Sequence, residues 1–188
     1  MNKLKGHFMT ITEHKLIVMK YCFRMGLFKQ GLLHDLSKYS PAEFIAGVKY
    51  FQGDRSPNAA QREEKGYSAA WMHHKGRNKH HYEYWHDIGP DRSKGEVPVK
   101  MPIKYVAEMF ADRIAACRTY EKEKYTDASP AAYYERTKNY IKIHPQTRAL
   151  LEKLIYMLKD KGEDATFSFI KKELLTKRDY HFKGVKDY

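Results

Sequence analysis

Histidine and aspartate are the residue types of this chain best suited to chemistry, and ten histidines occur among its 188 residues. His14 precedes the adjacent pair His34-Asp35, and Asp112 follows much later in the largely apolar stretch EMFADRIAAC. A carboxylate among core-facing residues needs a partner, because burying an unpaired charge is strongly unfavourable. A divalent cation is one such partner, and an arginine or lysine side chain is another.

The pair His34-Asp35 indicates how two cations could be held side by side. Adjacent helical residues point about 100° apart, so the two side chains do not reach one metal from within a regular helix. At a helix end they can splay, so that His34 binds one metal while the carboxylate of Asp35 bridges to a second. Two such cations neutralise phosphate oxygens and activate a water for hydrolysis of a phosphoester. We therefore predict a site for one or two divalent cations, with Mn, Fe, Zn, Co and Mg all open.

Two further histidine pairs, His73-His74 and His80-His81, flank the basic stretch KGRNK. We predict that His74 and His81 are additional ligands, ahead of their neighbours His73 and His80; the alternative for all four is a solvated basic turn. Gly76 interrupts the helix between the pairs, so spacing does not decide which member of each pair points inward. The predicted metal ligands are His14, His34, Asp35, His74, His81 and Asp112.

Catalytic and substrate-binding roles are predicted for residues close to these ligands. Glu108 lies one helical turn before Asp112, where it could orient a ligand or act as a base; an ordinary surface glutamate is the alternative. The catalytic candidates are Asp35, Lys38 and Glu108. The candidates for binding an anionic substrate are Lys38, Lys75, Arg77 and Lys79, with plain solvated charge as the alternative.

The elements that must position these residues are helices, because helix start and end signals recur along the chain and strand signals do not. Leu16 in the first predicted helix and Leu32, Leu33 and Leu36 in the second fall on their apolar stripes. Residues 87–100 are predicted to form a long loop. The predicted helices are residues 10–25 (opened by a capping box at Thr10–Glu13), 27–38, 41–51, two pieces capped by Asn58 and Ser68, 102–122, one starting at Ser129-Pro130, 145–161 and one capped by Asp164.

Composition places the chain among folded proteins with a basic surface. Hydrophobic residues make up 42% and aromatic residues 14% of it, which argues against a disordered chain. We predict an all-α, single-domain helical bundle over residues 1–188, with the metal-site core at about residues 10–120 and C-terminal helices at about 129–177. Two cysteines cannot form a disulfide framework, and no signal or membrane-spanning segment is evident, so we expect a cytoplasmic protein without a membrane partner.

The formal charge of +12 favours partners that carry phosphate. Basic residues are spread along the chain and mixed with acidic ones, as in EKEK at 121–124, which weakens the case for nucleic acid. The partner we expect is a small anionic phosphorylated substrate, with a nucleotide as one candidate. Whether the last helices pair with another copy of the chain stays open.

The order of His14, His34-Asp35 and Asp112 resembles the H…HD…D series of the HD-domain superfamily of metal-dependent phosphohydrolases. The segment His34–Lys38 is similar to the HDxxK form of the cyclic-dinucleotide phosphodiesterase branch, and His73-His74 lies where that branch carries extra ligands. The Gly-Tyr-Pro segment of that branch is absent. Lys38 stands where the 5′-deoxynucleotidase branch has Glu. The strings GLLHDLSKYSPAEF and AWMHHKGRNKHHYEYW resemble an uncharacterised family of small HD-like proteins of bacteria and phages.

This resemblance implies an HD-like helical fold and a phosphohydrolase that acts on a nucleotide or related phosphoester through a metal-activated water. One alternative keeps the metals and changes the reaction: HD-fold proteins similar to inositol oxygenase use a di-iron centre held by an H…HD…H…H…D series. Another alternative is a basic helical module that binds nucleic acid, in which the metal is structural or lost.

Overall fold

The chain folds into helices, and the structure, a computed structural model, describes residues 2–186. The predicted all-α class is confirmed. The α-helices among the described residues are α1 (Lys3–Met25), α2 (Phe28–Leu33), α3 (Pro41–Tyr50), α4 (Pro57–Lys65), α5 (Ala69–Lys75), α6 (Ile103–Glu121), α7 (Ser129–Thr137) and α8 (Pro145–Phe169). Short 3-10 turns cover Leu36–Tyr39, Tyr82–Tyr84, Arg92–Lys94, Lys122–Lys124 and Lys138–Tyr140, and a π-helical turn covers Ile170–Leu174.

Helix α1 ends as predicted but begins earlier. Gly26 follows Met25 with φ of 84°, the left-handed conformation that favours glycine at a helix end. The predicted capping box at Thr10 is wrong, since the side chain of Asn2 caps the helix by accepting from the amide of Leu4. The Thr10 hydroxyl instead donates to the carbonyl of Gly6 within the helix.

Other boundaries differ from prediction as well. Helix α4 begins at Pro57, after Ser56, so the predicted cap at Asn58 is wrong and Asn58 lies inside the helix. Helix α2 stops at Leu33 instead of running to Lys38, because the backbone turns at the next two residues. The predicted loop at 87–100 contains a small antiparallel hairpin of β1 (His86–Ile88) and β2 (Glu96–Pro98). Gly162 has a non-helical conformation with φ of 76° inside α8, so the predicted break between residues 145–161 and the helix that follows is confirmed as a kink.

The core lies where α1, α6 and α8 meet, with Val18, Phe110 and Leu154 fully buried. Leu16, predicted to be apolar core, is about half exposed, and so are Leu32, Leu33 and Leu36. The buried stripe of α1 instead follows the helical spacing Ile11, His14, Val18, Cys22 and Met25. His14 is therefore part of the stripe that faces α6.

Close approach of α2 to α1 brings the segment after α2 into the interior. A Cβ atom on Gly31 would lie 3.0 Å from Cys22 Cβ, so only a residue without a side chain fits comfortably there. The Lys15 ammonium group then donates to the carbonyl oxygens of Leu32 and His34, which fixes the end of α2 beside α1. None of the helices in the described part of the chain is long and apolar enough to cross a membrane.

Candidate metal centre

The structure brings all six predicted ligands together, from four separate parts of the chain. They form two clusters with Asp35 in common, and in each cluster the possible ligand atoms lie within 4.8 Å of one another. The first donor group consists of His14 from α1, His34, Asp35, and Asp112 from α6. The second donor group consists of Asp35, His74 from α5, His80 and His81.

The backbone at the end of α2 aims both members of the His34-Asp35 pair inward. His34 leaves the helix with ψ of 125°, and Asp35 adopts the left-handed conformation with φ of 53°. This conformation is uncommon outside glycine, and aspartate is among the residues that tolerate it best. Each of the two residues is only 1% exposed. The turn therefore directs the side chains of two adjacent residues into the interior, where both can act as ligands.

The carboxylate of Asp35 lies between the two donor groups. Its Oδ2 atom is 3.3 Å from His34 Nε2, and its Oδ1 atom is 3.3 Å from both His74 Nε2 and His80 Nε2. On the first side, Asp112 Oδ1 lies 2.9 Å from His14 Nε2 and 3.6 Å from His34 Nε2. Bonds of about 2.1 Å to one cation place neighbouring ligand atoms about 3.0–3.5 Å apart, so the 3.3 Å separations around Asp35 fit coordination. His14 and Asp112 form a hydrogen bond in the structure.

Several donor atoms of both groups are buried without a hydrogen-bond partner. They are His34 Nε2, His80 Nε2, His81 Nε2 and Asp35 Oδ1, and Asp35 Oδ2 is held by the ion pair with Lys38. An unsatisfied polar atom in the interior is costly, and buried polar groups normally have partners. A cation on each side of Asp35 would satisfy all of these atoms, which is the fit expected of a metal centre.

Buried glutamates hold the other nitrogens of three of these imidazoles. Glu108 Oε1 lies 3.0 Å from His34 Nδ1 and 3.1 Å from His80 Nδ1, and Glu43 Oε2 lies 2.7 Å from His74 Nδ1. Each imidazole then donates from Nδ1 and turns Nε2 toward Asp35. A carboxylate behind a ligating histidine is the usual arrangement around protein-bound metals. Glu108, predicted as a catalytic candidate, is 5% exposed and occupies the orienting position.

Two participants were missed or ranked low from sequence. Glu43, the third residue of α3, is absent from the predicted ligands and catalytic residues, yet it contacts histidines that lie far along the chain. His80 was ranked behind His81, but both reach the second donor group. His73 turns away from Asp35, and its Nδ1 atom lies 2.6 Å from Glu43 Oε1. No spacing signal links an acid on one helix to imidazoles on another.

Local charges keep the site's carboxylates ionised. Burial acts to raise the pKa of Asp35, but the charges of His34, Lys38 and His74 outweigh it and hold that pKa well below its usual range. Burial acts on Asp112 in the same direction, and the hydrogen bond from His14, together with the nearby imidazole of His34, holds its pKa low as well. An ionised carboxylate is the form that binds a cation.

The pKa shifts of the histidines differ across the site: those of His81 and His14 are lowered, whereas carboxylates outweigh burial and raise those of His34, His74 and His80. Burial lowers the pKa of His81 well below its usual value, and the positive charges of His80 and His74 lower it further. Burial and the charge of Lys38 lower the pKa of His14, against the opposing effects of Asp112 and Asp35.

The predicted substrate-binding residues are placed differently from one another. The ammonium group of Lys38 forms an ion pair with Asp35, with 2.6 Å between Nζ and Oδ2. Lys75 ends α5 and is partly buried. Arg77 donates to the carbonyl of His73, and Lys79 lies over the ring of Tyr84. Neither of these last two contacts joins the basic side chain to the carboxylates of the site.

Comparison with known proteins gives one family. Residues 3–157 match the family described as a family of unknown function, DUF5662, and the chain belongs to that family. The matched region contains every residue of both donor groups. No curated protein and no solved structure matches the chain.

Proposed function

We propose that this protein is a metal-dependent phosphohydrolase of the HD type, acting on a nucleotide or a related phosphoester. The observation that carries the proposal is the set of unpartnered donor atoms around Asp35. Three imidazole nitrogens and Asp35 Oδ1 in the interior have no hydrogen-bond partner, and Asp35 Oδ2 is held by Lys38. Two of the imidazoles donate from Nδ1 to Glu108. Such an arrangement is costly in a purely structural cluster and favourable around cations.

Each donor group offers a mixed set of imidazole nitrogens and carboxylate oxygens. The first has His14 and His34 with Asp35 and Asp112; the second has three imidazoles with Asp35. This donor chemistry suits Mn, Fe, Co or Zn better than Mg, which prefers oxygen ligands. When bound, such cations supply a water of lowered pKa and neutralise the oxygens of a phosphate.

The open side of the site is where an anionic substrate would enter. The side chains of His34, Asp35, His74 and His80 are 3% exposed or less, whereas Asp112 is 18% exposed and Lys38 is 27% exposed. Lys38 therefore presents a cationic group at the accessible edge of the centre. Its ammonium group can bind a phosphate oxygen there, as a lysine commonly does in phosphate sites.

The order of these residues along the chain supports assignment to the HD superfamily. His14, His34-Asp35 and Asp112 are the residues of the H…HD…D series, and they are the four residues of the first donor group. The formal net charge of +12 is consistent with a phosphorylated substrate.

The test is hydrolysis by purified protein loaded separately with Mn²⁺, Fe²⁺, Co²⁺ and Zn²⁺. The panel contains bis-p-nitrophenyl phosphate, nucleoside mono-, di- and triphosphates, and cyclic dinucleotides. We expect release of phosphate or nucleotide by the unaltered protein and loss of this activity in Asp35→Asn. His73→Ala changes a neighbouring imidazole outside both donor groups and should keep the activity. Absence of hydrolysis across the panel by metal-loaded protein would contradict the proposal.

The richness of the second donor group in nitrogen supports one other candidate, a di-iron oxygenase. His14, His34-Asp35, His74, His80 and Asp112 follow the order of the H…HD…H…H…D series, and three imidazoles in one group suit redox-active iron. Oxygen uptake by iron-loaded protein without release of phosphate would favour this second reaction.

A further inference from the structure

We propose that Glu43 is a positioning residue dedicated to the second donor group, so that it controls cation occupancy on that side of Asp35 and not on the other. The inference rests on the metal centre of the proposed function, and it adds that the two cation positions have separate supports. A change in one buried glutamate would then convert a two-cation centre into a one-cation centre.

The contacts of Glu43 carry this inference. Its carboxylate is 6% exposed and each of its oxygens faces a different imidazole: Oε2 lies 2.7 Å from His74 Nδ1 and Oε1 lies 2.6 Å from His73 Nδ1. Of these two, only His74 belongs to a donor group. The hydrogen bond from His74 Nδ1 turns its Nε2 atom toward Asp35 Oδ1, at 3.3 Å.

Glu108 provides the contrast, because it supports both sides at once. One of its oxygens, Oε1, lies 3.0 Å from Nδ1 of His34 in the first donor group and 3.1 Å from Nδ1 of His80 in the second. Loss of Glu108 therefore releases one imidazole from each position. Loss of Glu43 weakens the support of His74 alone among the donor imidazoles, since neither His14 nor His34 contacts it. Ser37 Oγ stays 3.2 Å from His74 Nδ1, so the imidazole loses its charged partner and keeps a neutral one.

The positions of the two glutamates in the fold make them independent. Glu43 lies in the first turn of α3, which packs against α5, the helix that carries His73 and His74. Glu108 lies in α6, which packs against α1, the helix that carries His14. Each glutamate thus reaches the centre from a different side.

The experiment measures binding of Co²⁺ alone to the full chain, by elemental analysis after equilibrium dialysis and by the visible absorption of bound Co²⁺. The variants are Glu43→Ala, Glu43→Gln and Glu108→Ala. Glu163→Ala is the matched control, because Glu163 accepts hydrogen bonds from Tyr21, Arg24 and Arg118 and belongs to neither donor group. Circular dichroism reports whether each variant is folded.

We expect two Co²⁺ per chain in the unaltered protein and in Glu163→Ala. In Glu43→Ala one Co²⁺ should remain with affinity changed by less than about threefold, while the other is weakened about ten- to a hundredfold. Glu43→Gln keeps one acceptor oxygen for His74, so its affinity for the second Co²⁺ should lie between those of the unaltered protein and Glu43→Ala. Glu108→Ala should weaken Co²⁺ binding at both positions.

Equal weakening of both positions in Glu43→Gln, or no weakening in either Glu43 variant, would overturn the positioning role. Unaltered protein that binds no Co²⁺ would contradict the metal centre and this inference together. Loss of one Co²⁺ in the Glu43 variants supports the positioning role even if no phosphoester is hydrolysed, in which case only the proposed reaction is wrong.

Discussion

Asp35 Oδ2 lies 3.3 Å from Nε2 of His34, the residue immediately before it in the chain. Neighbours in a regular helix point about 100° apart and could not meet in this way. The contact exists because α2 ends at Leu33 and Asp35 adopts φ of 53°. Uncommon backbone conformations of this kind persist where the surrounding structure fixes them, and they cluster at functional sites.

The first prediction separates the two adjacent histidines of α5. His74→Ala removes a donor whose Nε2 atom lies 3.3 Å from Asp35, whereas His73→Ala removes an imidazole that contacts Glu43 only through Nδ1. We expect His74→Ala to lose one of two bound Co²⁺ and His73→Ala to keep both, measured as equivalents per chain. The reverse outcome would show that the side chains are oriented differently in solution.

The second prediction concerns Lys38 at the accessible edge of the site. Lys38→Met removes the ammonium group that is paired with Asp35 and leaves every residue of both donor groups in place. We expect unchanged Co²⁺ stoichiometry and a KM for the hydrolysed phosphoester raised about tenfold or more, because a charge-assisted contact to phosphate is lost. Steady-state kinetics with dialysis measurements on the same sample test this, and an unchanged KM would exclude Lys38 from substrate binding.

The third prediction tests the contact between α1 and α3 that supports this side of the fold. A Cβ atom on Gly47 would lie 2.1 Å from Nε2 of the buried His7, so Gly47→Ala cannot be accommodated without a shift. Overpacking of this kind costs about 1–3 kcal/mol, which lowers Tm by about 2–4 °C per kcal/mol in a chain of this size.

A control variant and a double variant complete this test. In Gly76→Ala the nearest atom to the new Cβ is 3.4 Å away, so its Tm should stay close to that of the unaltered protein. Combining Gly47→Ala with His7→Ala removes the obstructing ring, so the two losses in the free energy of unfolding should be less than additive. Strict additivity would contradict the contact.

The fourth prediction is a pH dependence of stability. Burial, together with the charge of Lys38, lowers the pKa of His7 from 6.5 to about 4. Between these two values the unfolded chain holds a proton at His7 that the folded chain does not. The free energy of unfolding therefore rises with pH across this window, and the contribution is complete above pH 6.5.

His7→Leu should remove this contribution. Urea unfolding at several pH values should show that the free energy of unfolding rises less steeply between pH 4 and 6.5 in the variant. Between pH 7 and 8.5 the free energies of unfolding of the two proteins should change with pH in the same way. Titration of the other histidines is common to both proteins and cancels in the difference. An identical slope in the lower window would mean that His7 titrates normally in the folded chain.

The course of the helices was largely predictable from local chemistry. Gly26 marks the end of α1, and Pro41, Ser68 and Ser129-Pro130 mark the starts of α3, α5 and α7, because these residues act within one turn of their own position. The side that each helix buries was harder to predict. Leu16 looks like a core residue in sequence but is about half exposed, since the packing of α1 against α6 follows the stripe that contains His14.

Some residues of the site could likewise be predicted from sequence, and others could not. His14, His34, Asp35 and Asp112 could be predicted because their types and order form a pattern in the sequence. Glu43 and the inward orientation of His80 could not, because both depend on how α3, α5 and α6 meet in space. Side chains that support ligands from another helix leave no spacing signal.

The central claim is that buried donor groups on the two sides of Asp35 each hold a cation, and the metal content of the purified chain tests it most directly. Elemental analysis after reconstitution with Co²⁺ and dialysis should give two equivalents per chain. Asp35→Asn, which keeps a residue that tolerates φ of 53° but replaces a charged carboxylate oxygen with an amide, should stay folded and lose both. Protein that retains no metal, or Asp35→Asn that retains as much as the unaltered chain, would contradict the account.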